Sequence, residues 1–135
     1  MRMVVDASLV VQVATEEPGS AAVDSFLDGR LLIAPELLMA EVGNALWRKV
    51  RLGNLTPALA RQILPRLRQW IDPLVPLAGL EAQALDLALR RDHPVYDCLY
   101  VALAIREAVP LATGDRRLAE RFAGDADIHL VSSAG

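Results

Sequence analysis

Met3-Val4-Val5-Asp6-Ala7-Ser8-Leu9-Val10-Val11-Gln12-Val13-Ala14-Thr15 is the stretch that decides the fold. Its first three residues read as a short buried strand that stops on an acid. The nine uncharged residues at 7–15 then run on without a turn signal, which suits a helix starting on Asp6 or Ser8. Strand, acid, helix is the local unit, and it recurs outward from here. Glu17-Pro18-Gly19-Ser20 breaks the first helix, a second is predicted over 20–27, and Leu31-Leu32-Ile33-Ala34 is an apolar run of strand length. Pro35 opens a helix over 36–51, closed by Gly53-Asn54, and Thr56-Pro57 begins another that reaches about 71. Pro73 and Pro76 bracket a short extended segment, helical spacing returns over 80–91, and His93-Pro94 ends it. Residues 95–108 are apolar except Asp97, Arg106 and Glu107, the composition of a helix buried on most sides. A strand over 110–113, a turn at Gly114-Asp115, a helix over 116–122 and a strand over 128–131 complete the pattern.

Short apolar strands alternating with helices predict an α/β fold of three layers, α/β/α, with a short, mainly parallel sheet flanked by helices. Such sheets bind ligands beyond the carboxyl ends of their strands, where the strand order reverses. Asp6 and Asp115 both fall at or just past such an end.

Bulk properties narrow the function classes. The 135 residues suit a single domain over 1–135 with a full core. An apolar fraction of 53% and a mean hydropathy of +0.30 are high for that size, so a second chain is expected to cover part of the surface. The longest uncharged stretches, nine residues each, are far below the roughly 20 a membrane helix needs. Asp6 interrupts the first apolar run before it reaches the core of a secretory signal. Cys98 is the only cysteine, which excludes an intrachain disulfide and a cysteine-based zinc site, so the cytoplasm is the expected compartment. The net charge of −3 looks unsuited to a nucleic-acid enzyme until it is divided by location. Setting aside Asp6, Glu41, Asp97 and Asp115 leaves 13 acids against 14 bases. The bases are almost all arginine, whose forked guanidinium suits phosphate, and Arg48, Arg116 and Arg117 lie near these acids in sequence.

Each acid also has a plain structural explanation. Asp6 and Asp115 sit where helices begin, and a capping Asp stabilises a helix by about 0.5–2 kcal/mol. Asp97 is harder to dismiss, because a carboxylate entering so apolar a helix loses hydration and calls for a partner. Glu41, Asn44 and Arg48 share a stripe beside the apolar face of Leu38, Val42, Ala45 and Leu46, and Asn44 adds a neutral oxygen or a donor there. Carboxylates converging without a counter-ion repel and take up protons, whereas Mg²⁺ or Mn²⁺ prefers oxygen ligands. The implied chemistry is phosphodiester hydrolysis with one or two ions, Ser8 and Thr113 holding the carboxylates or their waters. Other groups offer less. His93 and His129 read as surface or capping residues, Cys98 as a small core residue, and Trp47 and Trp70 as core or interface anchors. There is no phosphate-binding glycine loop.

Val4-Val5-Asp6-Ala7-Ser8, Glu41-Val42-Gly43-Asn44-Ala45-Leu46, Tyr96-Asp97-Cys98-Leu99-Tyr100-Val101-Ala102-Leu103-Ala104 and Leu111-Ala112-Thr113-Gly114-Asp115 together resemble the PIN-domain nucleases, and among them the VapC-type toxins of toxin–antitoxin pairs. The resemblance spans the chain in order and spacing. It implies a PIN-like fold and a Mg²⁺- or Mn²⁺-dependent endoribonuclease, usually a homodimer, silenced by a VapB-like antitoxin whose tail covers the site. Asp6, Glu41, Asp97 and Asp115 match the family's acidic positions, and Asn44 and Thr113 its polar neighbours. His93-Pro94-Val95 departs from the usual Ser- or Leu-containing lead-in to the Asp97 helix. Two other readings compete. A PIN-like module that has lost catalysis would be expected to lack some of the acids. A receiver-like phosphoacceptor would need paired acids after the first strand and a late lysine, and Lys49, on a helix, is the only lysine.

Overall fold

A computed structural model describes residues 1–131. The chain runs β1 (Arg2–Val5), α1 (Ala7–Ala14), α2 (Ser20–Leu27), β2 (Leu31–Pro35), α3 (Leu37–Arg51), α4 (Pro57–Trp70), β3 (Ile71–Val75), α5 (Glu81–Arg91), α6 (Val95–Glu107), β4 (Leu111–Thr113), α7 (Arg116–Arg121) and β5 (Ile128–Leu130). All strand pairings are parallel, in the order β3-β2-β1-β4-β5. The chain therefore builds outward from β1 through β2 to β3, then returns to lay β4 and β5 on the other side of β1. α1 packs on α2 and α3, α3 on α4, and α5 on α6, the grouping expected when right-handed crossovers put the helices before and after β3 on opposite faces.

Local chemistry explains the boundaries. Asp6 has extended backbone angles and accepts from the Leu9 amide at 3.2 Å, capping α1. Thr56 caps α4 in the same way, with Pro57 in its first turn. The strand expected to end at Ala34 continues through Pro35, because an edge of β2 still pairs with β3 at Pro35 and Val75. The helix expected to reach 71 stops at Trp70, because Ile71 already pairs with Leu32.

Every residue from Cys98 to Ala104 is buried, so α6 is the central helix of its layer, in contact with β1, β2 and β4. It packs among Val4, Val5, Ile33 and Leu111 in one hydrophobic core. Val5 lies opposite Ala112 in register, so Asp6, just past β1, stands beside Thr113, the last residue of β4, at the carboxyl edge of the sheet. β1 and β4 are also the pair between which the strand order reverses, the place where an open α/β sheet leaves room for a ligand.

Candidate active site

Asp6 lies at the centre of this edge and is enclosed by protein. Its Oδ1 accepts from Ser8 Oγ at 2.7 Å and from the Leu9 amide, while Thr113 Oγ1 donates to its Oδ2. These donors favour the ionised form, but burial outweighs them and pushes the carboxyl group up to about 6, with the neighbouring charge of Asp97 adding to the shift. Thr113 is itself fixed, since its hydroxyl oxygen accepts from the Asp115 amide at 3.0 Å. One hydroxyl thus ties the end of β1 to the start of α7. Gly114 lets that turn approach α1: a Cβ there would meet Leu9 Cδ2 at 3.3 Å and Ser8 Oγ at 3.4 Å.

Glu41 reaches the same edge from α3. Burial raises its carboxyl group, the hydroxyl of Tyr100 opposes that by donating to Oε1 at 2.5 Å, and Asp97 raises it further. Tyr100, one turn beyond Asp97 on α6, has its own hydroxyl pushed strongly upward by burial and by Glu41, Asp6 and Asp97. It therefore stays a donor. Sequence reasoning passed over Tyr100, although its i+3 spacing from Asp97 placed both on one side of the helix.

Asp97 does not stand where its apolar helix suggested. Its side chain is 36% exposed, because the first turn of α6 lies at the open rim and the helix enters the core only from Cys98 onward. Its hydration is partly kept, and Asp6 is the acid that loses most. His93, expected as a surface or capping residue, is instead buried, its side chain 3% exposed and its Nε2 2.8 Å from Asp97 Oδ2. The ring stands edge-on to Phe122 at 5.1 Å between centroids. Asp115 caps α7 through Oδ1, accepting from the amides of Arg117 at 2.9 Å and Leu118 at 3.2 Å. Cys98 is a core residue as expected, with its thiol pushed up to about 11 by burial and by Asp97.

Each acid is thus gripped by a donor from its own neighbourhood. Glu41 Oε2, Asp97 Oδ1 and Asp115 Oδ2 receive no protein donor among the described residues. Nor, among those residues, does any lysine or arginine pair with the four acids. As the side chains stand, no three of the described His, Cys, Asp or Glu groups form a closed metal cage. What the edge offers is a set of hard oxygen donors whose charges repel, which is the donor chemistry of a divalent cation that keeps some of its water.

Beside Glu41 opens a cavity of about 540 Å³ lined in part by Ser8, Glu41, Asn44, Arg48 and Lys49. The predicted stripe of Glu41, Asn44 and Arg48 faces one groove. Lys49 pairs with Glu17, while Arg48 is exposed. Arg117 lines a different cavity, of about 520 Å³, with Arg90, Arg91 and Arg121, and Arg116 is exposed beside it. Trp47 is 56% exposed on α3, bordering an apolar groove of about 460 Å³ that includes Leu46, Val50, Ala60 and Leu64.

Comparison with known proteins supplies the lineage. The PIN domain family matches residues 3–123. Ribonuclease VapC1 of Mycobacterium tuberculosis is 40% identical over 129 residues, covering 95% of this chain and 96% of its own. Ribonuclease VapC3 of Pyrobaculum aerophilum is 35% identical over 125 residues, covering 90% and 95%. Among solved structures, VapBC2 of Rickettsia felis, bound to a DNA fragment from its promoter, superposes with a TM-score of 0.73 over 96% of this chain and 98% of that one. At 12% identity that likeness speaks for the fold. The chain belongs to the PIN-domain family and, within it, to the VapC group.

Proposed function

We propose that this protein is a metal-dependent endoribonuclease that hydrolyses RNA phosphodiester bonds and serves as the toxin of a VapBC-type toxin–antitoxin pair. The observation that carries the reading is the meeting of Asp6, Glu41 and Asp97 at one end of the sheet, Asp6 held by Thr113 and Glu41 by Tyr100 one turn from Asp97, with no lysine or arginine paired to them among the described residues. Names of the VapC relatives as ribonucleases agree with it.

In this reading Asp6, Glu41, Asp97 and Asp115 hold one or two Mg²⁺ or Mn²⁺ ions. A bound ion supplies charge stabilisation for the scissile phosphate and lowers the pKa of an attacking water. The chain's residues do the rest. Ser8 and Thr113 fix Asp6 so that its charge stays aimed at the edge of the sheet, and Tyr100 fixes Glu41. Asn44 and Arg48 line the groove that meets Glu41, where a guanidinium would take a backbone phosphate next to the one being cut. The rival reading, a PIN-like module without catalysis, leaves the cluster of charged oxygens without a role.

RNA incubated with the purified protein and Mg²⁺ or Mn²⁺ should be cleaved internally, and Asp97→Asn should cleave it at least tenfold more slowly, on the order expected for a displaced metal ligand. Cleavage that persists in a chelator, or that Asp97→Asn leaves unchanged, would refute this mechanism. The partners we propose are a VapB-like antitoxin, whose tail covers the site, and a second copy of the chain, both in the cytoplasm. Exposed Trp47, Leu85 and Leu89 agree with covered apolar surface. No helix among the described residues is long and apolar enough to cross a membrane. Light scattering should give twice the 14.7 kDa chain mass, and co-expression with the adjoining short reading frame should yield a stable complex. A monomer that binds nothing would refute both partnerships.

A further inference from the structure

We infer that His93 is a positioning residue for Asp97: a buried imidazole that holds one carboxylate oxygen so that the other faces the metal edge. The inference rests on the metal-dependent reading above. Three observations carry it. The Nε2 to Oδ2 separation of 2.8 Å is a full hydrogen bond, and a carboxylate can only accept, so Nε2 carries the proton. The ring is almost wholly enclosed, with Phe122 edge-on against it. Its other nitrogen, Nδ1, is buried with no hydrogen-bond partner among the described residues.

With Nε2 committed to Asp97 and Nδ1 sealed in the interior, neither nitrogen reaches the groove. His93 is therefore not a base or a metal ligand. Among the described residues the one polar contact of its ring is Asp97, and a swing of Asp97 to another rotamer would strand a buried donor, which is unfavourable. The constraint runs in both directions: the enclosed ring fixes the carboxylate, leaving Oδ1 as the oxygen without a protein donor among the described residues. The ring is fixed in turn by the corner it occupies. Arg121 Nη1 donates to the carbonyls of Arg91 at 2.6 Å and Asp92 at 3.0 Å, and Arg91 forms a forked pair with Asp125 at 2.9 and 3.0 Å. These contacts tie the α5–α6 turn to the end of α7, the helix that Asp115 caps.

The test is Mn²⁺ affinity, read from the electron paramagnetic resonance of free Mn²⁺, for the wild type, His93→Leu and His93→Gln, with melting in EDTA as the control for folding. A glutamine amide can occupy the place of Nε2 as a donor and leucine cannot. His93→Leu should bind Mn²⁺ about 10- to 100-fold more weakly, the range for loss of a group that orients a ligand, and His93→Gln should stay close to the wild type. Equal affinity of His93→Leu and the wild type would overturn the inference. So would equal loss in both variants when both melt as the wild type does. If the leucine variant does not fold, nitrogen NMR of the wild-type ring decides. A proton on Nε2 whose signal moves in Asp97→Asn supports the role, and a ring protonated on Nδ1 alone overturns it. A wild type that binds no Mn²⁺ removes the metal reading itself, an outcome distinct from any of these.

Discussion

Asp6 is under two opposed influences, and their balance is measurable. Three hydrogen bonds favour its charge, and burial disfavours it more, so its carboxyl group titrates near 6 where an unfolded chain has about 3.8. The folded state therefore holds a proton that the unfolded state lacks between those values. Stability from this group is fully present below about pH 4 and is lost as the pH rises through about 6; a shift of about two units corresponds to roughly 3 kcal/mol. Asp6→Asn removes the buried charge while leaving an oxygen for Ser8 and Leu9. In EDTA near neutral pH the variant should melt several degrees above the wild type, and the gap should narrow toward pH 4.5. Added Mn²⁺ should raise the wild type and leave the variant unmoved. A variant that melts below the wild type near neutral pH would show that the carboxylate, with its three donors, is stabilising as it stands.

At the scale of elements, each acid at a strand end also starts a helix, and one substitution separates the two roles. Asp115 caps α7 through two backbone amides, and losing such a cap costs about 0.5–2 kcal/mol. Asparagine caps as well as aspartate does. Asp115→Asn should keep the melting temperature and lose cleavage, whereas Asp115→Ala should lose both. An asparagine variant that cleaves at the wild-type rate would leave Asp115 as a cap alone. This double use is why the elements could be read from the chain: an apolar run cut by an acid marks where a strand ends and a helix begins. Depth could not be read so directly. Asp6 is enclosed because β4, more than a hundred residues away, lies along β1 and brings Thr113 against it. Asp97 stays at the rim although its neighbours in sequence are far more apolar. His93 was hidden because it lies between α5, capped at Asp92, and α6, whose N-cap is Pro94, so the i−4 relation to Asp97 did not look helical. Tyr100 could be placed beside Asp97 by spacing, but only the packing of α3 against that edge supplies Glu41 as its partner.

For the molecule as a whole, charge is sorted by place. A chain of net charge −3 places four of its 17 acids at the carboxyl end of the sheet and leaves Arg48, Arg116 and Arg117 exposed to solvent. If these three contact RNA phosphates, they do so by releasing condensed counter-ions, and binding must weaken as salt rises. For a single strand each contact contributes about 0.7 to the slope of log affinity against log salt. Replacing all three by alanine should therefore flatten the slope by about 2, and the loss of affinity should be largest at low salt, where counter-ion release is most favourable. Binding measured on an Asp97→Asn background with Mg²⁺ present avoids cleavage during the titration. The structure separates the contributions further. Arg48 shares the groove with Glu41, whereas Arg117 lines another cavity with Arg90 and Arg121. Arg48→Ala should accordingly lower both affinity and cleavage, and Arg117→Ala should lower affinity with little change in the rate on bound RNA. A triple variant with an unchanged slope would mean that RNA crosses a different face of the protein.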